Sequence, residues 1–260
     1  MGVSIPIIMR ASRYWNDEGI VLRASNFSEN DRIVTLYTRK KGRITAMAKG
    51  ARKIGNRFGS TLDCLSVSRF QFYSNQGMPY LTQSDVLLSF RDFCRDTPKW
   101  LVGCYFISLV DQCFEAEEGD ERVFDTILQF LEYLSRGSNL RPLLLKFRIL
   151  LLHFLGIYPR FQYCSACGSP LEEKSRGWST RSGGRICEKC SPSIPDNQCL
   201  FPDILTITKT FLTNSCAACI PLRLNDRQFV VLDELLSQYL SYHVGKEIMS
   251  WKIFTQRFRE

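Results

Sequence analysis

The pattern of hydrophobic and polar positions changes once along the chain. The first third carries short runs of branched and aromatic residues, separated by turn residues such as Gly, Asn, Asp and Ser. In the third run Ile44, Ala46 and Ala48 alternate with the residues between them, which indicates one face distinct from the other. Five short strands in about 70 residues favour a small closed barrel, of which the OB-fold is the best-known kind. The predicted strands are residues 19–24, 32–38, 43–49, 65–73 and 80–87.

From about residue 99 the apolar residues follow helical spacing. Pro142 stands where a helix is expected to begin, and Gly156 and Pro159 stand where it is expected to end. A cysteine-rich insert at 163–195 interrupts this part, and it is too rich in Gly, Ser, Pro and charge to bury a core by itself. The predicted helices are residues 100–114, 122–134, 143–155 and 226–242.

Two cysteine pairs in the insert share the metal-binding spacing C-x-x-C. Cys164 and Cys167 form the first pair, Cys187 and Cys190 the second, and 19 residues separate the pairs. Each pair closes a tight loop that aims two thiolates at one point, and Gly168 supplies the permissive backbone. Four protein ligands leave no open position, so this spacing predicts one structural Zn²⁺. The alternative is four buried or free thiols. Arg181, Arg185 and Lys189 lie in or near the insert and are expected to form a solvated face; the alternative is that they contact nucleic acid.

The cysteine count also bears on the cellular compartment. The chain has 11 cysteines, an odd number, and several lie inside apolar helical patterns. Both facts argue against a secreted disulfide framework and favour a reducing compartment. The richest apolar run, at 143–155, contains Lys, Arg and His and is too short to span a membrane. The first residues lack the charged lead-in and apolar core of a signal peptide.

These patterns together predict an α+β multidomain protein. An N-terminal five-stranded OB-fold β-barrel is followed by an all-α domain that carries a four-cysteine zinc module. The predicted divisions are 1–16, a variable and loosely ordered extension; 17–90, the OB-fold domain; 91–160, the first part of the helical domain; 161–196, the zinc module; and 197–260, the second part of the helical domain.

Basic residues are concentrated in one window of the barrel region. Residues 32–62 contain nine Lys or Arg and no Asp or Glu. Subtracting these nine from the 34 basic residues leaves 25, against 26 acidic ones, so this window accounts for the whole net charge of +8. A concentrated basic stripe is typical of a protein that binds a polyanion. The nine residues are Arg32, Arg39, Lys40, Lys41, Arg43, Lys49, Arg52, Lys53 and Arg57.

Eight of these cations fall into two clusters, one in the turn after the second strand and one in the loop after the third. Aromatic residues are interleaved with them, and aromatic rings beside cations are how OB-folds hold single strands. Tyr37, Phe70 and Phe72 are each better explained as barrel core. Phe58, in the loop, is the aromatic residue we expect to stack on a base. We therefore predict that the nine cations and Phe58 bind nucleic acid.

The sequence contains no pattern that indicates an enzyme. Only two histidines are present, and no phosphate-binding loop, paired acidic metal site or Cys–His dyad of recognisable spacing occurs. A third C-x-x-C, Cys216 to Cys219, has the spacing of a redox pair but lacks the βαβ context of one. Because of this spacing, a thiol oxidoreductase that uses the pair is kept as a rival hypothesis, although the missing context disfavours it.

The sequence resembles the RecO family, DNA repair proteins that act as bacterial recombination mediators. The resemblance covers roughly residues 19–190 and rests on the order and spacing of several segments. These segments are Gly-Ile-Val-Leu-Arg at 19–23, Glu-Asn-Asp-Arg-Ile-Val-Thr-Leu-Tyr-Thr at 29–38, Lys-Gly-Arg at 41–43, Ala-Lys-Gly-Ala-Arg at 48–52, Leu-Gly-Ile-Tyr-Pro at 155–159, Tyr-Cys-Ser-Ala-Cys-Gly at 163–168 and Gly-Gly at 183–184.

This resemblance implies an N-terminal OB-fold, a helical domain and a zinc module. It implies binding of single- and double-stranded DNA and annealing of complementary strands. It also implies partnership with RecR and with the C-terminal tail of the single-strand-binding protein, so that RecA is loaded onto covered single strands. The implied location is the cytoplasm, at the bacterial nucleoid. The alternative function is that of an RNA-binding or transcription-associated OB/zinc protein.

Overall fold

The computed structural model describes residues 13–116, 119–137, 139–249 and 251–257. The chain divides into two compact units, one of residues 1–90 and 116–124 and the other of residues 91–115 and 125–260. The first unit is built on five strands and the second on helices, which confirms the predicted α+β architecture. Among the described residues, no helix combines the length and apolar character needed to cross a membrane.

Five strands of the first unit close into a barrel with the order β1-β2-β3-β5-β4. Neighbouring strands run antiparallel, except that β3 and β5 run parallel and meet at Met47 and Tyr80. Each predicted strand overlaps one observed strand, because alternation and turn residues are local signals. The strands are β1 (Tyr14–Asn26), β2 (Arg32–Thr38), β3 (Gly42–Ala48), β4 (Ser66–Tyr73) and β5 (Tyr80–Ser89).

The barrel interior is filled by alternate residues of the strands and by residues of the loop after β3. In β3 the buried positions are Gly42, Ile44, Ala46 and Ala48, as the alternation predicts. The strands approach closely at Gly19 of β1, where a Cβ would lie 3.2 Å from the Phe70 ring. The core cluster is Val21, Val34, Leu36, Ile44, Ala46, Ala48, Ala51, Phe58, Leu62, Phe70, Phe72 and Leu81.

The first strand begins earlier than predicted. Tyr14, Trp15 and Asn16 belong to β1 and pair with β4, so the expectation of a loose extension through residue 16 is wrong for these three. The Trp15 ring stacks on the Phe72 ring with centroids 5.1 Å apart. This strand end depends on a partner more than 50 residues away, which the local pattern does not reveal. Residues 1–12 of the predicted extension lie outside the described residues.

A short segment beyond the strands completes the first unit. Gly119 packs so closely on the β2–β3 turn that a Cβ there would lie 2.6 Å from the Lys40 carbonyl oxygen. The Tyr37 hydroxyl donates to the Asp120 carbonyl at 3.4 Å, and the Arg39 guanidinium lies over the Phe124 ring at 4.4 Å. The β2–β3 turn is therefore supported from outside the barrel.

Two of the long helices of the second unit begin with side-chain caps. Asp96 accepts the Lys99 N–H at the start of α1, and Asn225 and Gln228 form a capping box at the start of α6. All four predicted helices are observed, and α4, α5 and α7 are additional. The helices are α1 (Thr97–Cys113), α2 (Glu121–Arg136), α3 (Leu140–Phe154), α4 (Pro202–Thr213), α5 (Cys216–Cys219), α6 (Asp226–Val244) and α7 (Trp251–Arg257).

The cysteine-rich insert forms a small sheet that is anchored on the helices. Its strands β6 (Gly177–Ser179) and β7 (Gly184–Ile186) form this sheet together with β8 (Gln198–Cys199), which follows the insert, in the order β7-β6-β8. Trp178 of β6 is buried and its ring lies 5.6 Å from that of Tyr239 in α6. This contact supplies the core that the insert is too polar to build alone.

Candidate nucleic-acid interface and metal centre

The β2–β3 turn presents the first cationic cluster, made of Arg39, Lys40, Lys41 and Arg43. Gly42 adopts φ +66° to close the turn, and the Thr38 hydroxyl donates to its carbonyl at 3.0 Å. The Lys40 N–H donates to the Asp17 carboxylate at 3.1 Å. The backbone of this turn is therefore fixed.

The four cations of this turn differ in exposure. The side chains of Lys40 and Lys41 are exposed, whereas those of Arg39 and Arg43 are half-buried. Arg39 is paired with Glu18 at 3.0 Å and Lys41 lies over the Trp15 ring at 4.2 Å. The lysines are thus the more accessible charges.

The β3–β4 loop presents the second cluster, Lys49, Arg52, Lys53 and Arg57, all exposed. The loop lies against the β1–β2 loop. The Arg52 guanidinium donates to the Ser28 carbonyl at 2.6 Å, and the Arg52 N–H donates to the Asn30 carbonyl at 3.0 Å. Near the C-terminal end of this loop, the Asn56 side-chain oxygen accepts hydrogen bonds from the N–H groups of Phe58 and Gly59. Arg32, the ninth cation, is half-buried within β2.

Phe58 does not have the position that the sequence suggests. Its side chain is only 2% exposed and belongs to the barrel core, so the prediction that it stacks on a base is wrong. Its loop folds back onto the barrel and carries the ring inside. Tyr37, Phe70 and Phe72 are fully buried, as core residues should be. None of these four rings is accessible to a base.

Two large apolar side chains that the sequence did not single out are exposed on the same pair of loops. Phe27 in the β1–β2 loop is 59% exposed, and Ile54 in the β3–β4 loop is fully exposed. A single apolar residue between turn residues carries little signal by itself. Only the hydrogen bonds between the two loops show that these side chains lie on neighbouring loops.

All four cysteines of the insert come together in one cluster. The sulfur atoms of Cys164, Cys167, Cys187 and Cys190 lie within 4.8 Å of one another, and those of Cys167 and Cys187 are 3.8 Å apart. Zn–S bonds of about 2.3 Å in a tetrahedron place the sulfurs about 3.8 Å apart. The cluster therefore has the donor set and the size for a tetrahedral metal ion.

Both cysteine loops have the same backbone construction. The Gly168 N–H donates to the Cys164 carbonyl at 2.9 Å, and the Ser191 N–H donates to the Cys187 carbonyl at 3.0 Å. Gly168 adopts φ +75°, which a glycine accommodates without strain. The Cys187 N–H also donates to the Cys164 sulfur at 3.3 Å, linking one loop to the other.

The charges of the four sulfurs are not independent. Hydrogen bonding with the Ser169 hydroxyl lowers the pKa of Cys167 to about 6. Hydrogen bonding with Cys187 and Cys167 raises the pKa of Cys190 to about 12. Thiolates this close repel one another, so a cation is needed to hold all four in the ligating form. This donor chemistry fits Zn²⁺.

Arg185 has a structural position rather than a place on a solvated face. It is only 9% exposed, and its guanidinium donates to the carbonyls of Phe161, Glu172 and Ser175. The expectation of a solvated side chain is therefore wrong for Arg185. Arg181 and Lys189 are exposed, as expected.

The remaining cysteine pair, Cys216 and Cys219, lies on the one-turn helix α5. Burial raises the pKa of Cys216 to about 11 and also raises that of Cys219, although the Lys146 ammonium acts in the opposite direction. A redox nucleophile requires a lowered thiol pKa. This environment disfavours thiol exchange at the pair.

The architecture defines a class: an α+β protein with a basic five-stranded barrel unit and a helical unit that carries a four-cysteine cluster. A family profile described as Recombination protein O N terminal matches residues 9–90, and one described as Recombination protein O C terminal matches residues 94–252. The chain belongs to the recombination protein O family, and it is a DNA repair and recombination protein.

Similar proteins from several bacteria are named DNA repair protein RecO. The one from Symbiobacterium thermophilum is 28% identical over 239 residues, 91% of this chain and 94% of that protein. The one from Syntrophus aciditrophicus is 29% identical over 247 residues, 92% and 94% of the two chains. The one from Bacillus subtilis is 26% identical over 239 residues, 92% and 93% of the two chains. These names mention no enzymatic activity.

Proposed function

We propose that the protein is a recombination mediator that binds single- and double-stranded DNA through its barrel unit and anneals complementary strands. The observation that carries this proposal is the acid-free window at 32–62, whose exposed cations occupy two ordered loops of the barrel unit. We further propose that the barrel is an OB-fold. Its strand order and its parallel β3–β5 contact support this assignment.

Annealing needs no covalent catalysis. Two strands repel each other through their phosphates, and a cationic surface lowers that cost while the base edges stay free to pair. Lysines on loops suit this task, since they contact phosphate without reading sequence. The nine cations of the window are the residues we assign to DNA binding, with the exposed ones making the phosphate contacts.

The family also suggests partners. We propose that the protein acts with RecR and with the C-terminal tail of the single-strand-binding protein, and that it helps load RecA onto covered single strands in the bacterial cytoplasm. We assign one structural Zn²⁺ to Cys164, Cys167, Cys187 and Cys190. The metal would fix the insert on the helical unit and take no part in chemistry.

A gel-shift and annealing assay tests the proposal. The full chain should retard labelled single-stranded DNA and accelerate pairing with its complement, both with bare strands and with strands covered by the single-strand-binding protein. RNA strands of the same sequence serve as the comparison. Failure to bind or anneal DNA would overturn the proposal, and a clear preference for RNA would favour the alternative function.

A further inference from the structure

Two loops of the barrel unit hold each other in place and carry the most exposed apolar side chains of this region. The β1–β2 loop bears Phe27 and the β3–β4 loop bears Ile54. Besides the two hydrogen bonds from Arg52, the Gly50 N–H donates to the Asp31 carboxylate at 2.8 Å. Phe27 and Ile54 therefore belong to one pair of tied loops.

Each loop is also ordered internally. The Phe27 N–H donates to the Asp31 carbonyl at 3.1 Å, which closes the first loop on itself. In the second loop the Lys53 N–H donates to the Gly50 carbonyl and the Asn56 N–H to the Lys53 carbonyl, both at 3.1 Å. Side chains presented on ordered loops lose little further backbone freedom when they bind a ligand.

Four exposed cations share the β3–β4 loop with Ile54. Lys49, Arg52, Lys53 and Arg57 are all exposed on the loop that bears Ile54, and Glu29 is the exposed acid of the facing loop. A scattered apolar residue on a surface needs no explanation. An aromatic and a branched side chain on two tied loops, one of which carries four exposed cations, match a ligand with an anionic backbone and apolar faces. A nucleic-acid single strand, with its phosphates and unpaired bases, has that composition.

We propose that Phe27 and Ile54 contact the bases of the strand whose phosphates the exposed cations of the β3–β4 loop bind. Phe27 provides a flat surface on which a base stacks, and Ile54 enters between neighbouring bases as an apolar wedge. This inference rests on the proposed DNA binding and adds to it a base-directed contact. It also replaces Phe58, which is buried, with an accessible aromatic residue.

The test measures equilibrium binding of the full chain to a fluorescently labelled strand of about 16 nucleotides, the upper site size of one OB-fold. Phe27→Ala, Ile54→Ala and the double variant are compared with the native protein over a range of salt concentrations. Base stacking predicts about 5- to 150-fold weaker binding for Phe27→Ala. The salt dependence should not change, because no phosphate contact is removed.

A strand of abasic sites isolates the base contact. The native protein should bind it more weakly than the base-containing strand, whereas the double variant should bind the two strands alike. Met78→Ala is the matched control, because Met78 is 43% exposed in the β4–β5 turn of the same barrel. It should bind both strands as the native protein does. Thermal unfolding should be unchanged in all variants, since the replaced side chains are exposed.

The different failures are distinguishable. If the native protein binds the base-containing strand and the double variant binds it equally well, the inference is wrong and the proposed function stands. If the double variant loses as much affinity for the abasic strand as for the other, Phe27 and Ile54 do not act through bases. If the native protein binds neither strand, the proposed function itself fails.

Discussion

Replacing the four lysines of the basic window with glutamine measures how the exposed charges contribute to DNA binding. Of the nine cations, six are exposed and three, Arg32, Arg39 and Arg43, are half-buried. The Arg39 guanidinium also serves the structure of the barrel unit through Glu18 and Phe124. We therefore expect the six exposed cations to make the phosphate contacts. The variant removes Lys40, Lys41, Lys49 and Lys53.

The expected magnitude follows from counterion release. Each phosphate contact with a single strand contributes about 0.7 to the slope of log affinity against log salt, so six contacts give a slope of about −4. Affinity should then fall about 300-fold between about 50 and 200 mM salt. Losing four contacts should leave a slope of about −1.4 and a fall of only about 7-fold over the same range.

Titrations of a labelled homopolymer strand at several salt concentrations give the slope directly. A matched control carries the same loss of four positive charges on exposed lysines of the helical unit. If the barrel variant kept the native slope, the window would not be the phosphate-binding surface. If the control lost as much slope as the barrel variant, net charge alone would explain the effect. The control replaces Lys174, Lys189, Lys209 and Lys246 with glutamine.

Three further predictions concern the framework around this surface. Cys187→Ser should abolish stoichiometric zinc, measured by metal analysis, and lower the unfolding temperature of the helical unit; retention of zinc would contradict the assigned site. Asp233→Ala should destabilise the protein by about 3–5 kcal/mol in urea titrations, because it leaves the buried Arg148 guanidinium, now 2.5 Å from Asp233, without its counter-charge. Replacing both Asp233 and Arg148 with apolar residues should recover most of the lost stability. A double variant as unstable as Asp233→Ala would contradict the reasoning. Gly119→Ala should lower the stability of the barrel unit by about 1–3 kcal/mol, measured by thermal unfolding, since its Cβ would lie 2.6 Å from the Lys40 carbonyl oxygen. An unchanged unfolding transition would show that the segment shifts to accommodate the methyl group.

Local signals made much of this fold predictable. The alternation in β3 and the turn residues around it fix the strand bounds to within a residue, because both act over a few positions. The four-cysteine cluster was predictable for the same reason, since each C-x-x-C loop aims its own two sulfurs. The start of β1 was missed because Tyr14 and Trp15 become strand only by pairing with the distant β4.

Burial of single residues in loops was the weakest inference from sequence. Phe58 and Phe27 are both aromatic residues between strands, yet one is buried and the other exposed. The difference depends on whether a loop folds back onto the barrel, and no neighbouring residue encodes that. Arg185 shows the converse, because the carbonyls of Phe161, Glu172 and Ser175 bind a charged group that the composition predicted to be solvated.

Arginine and lysine have different positions in the basic window, and the difference bears on the proposed annealing. Arg39 and Arg52 use their planar guanidinium groups in contacts with other residues of the protein, with Glu18 and with the Ser28 carbonyl. The lysines extend from ordered turns as hydrated point charges, and even an exposed cation–π contact such as that of Lys41 contributes only about 0.5–1 kcal/mol. A protein that holds a strand and then releases it to its complement needs contacts that form and break readily. Exposed arginines that also order the loops, together with lysines whose contacts to phosphate form and break readily, meet both requirements.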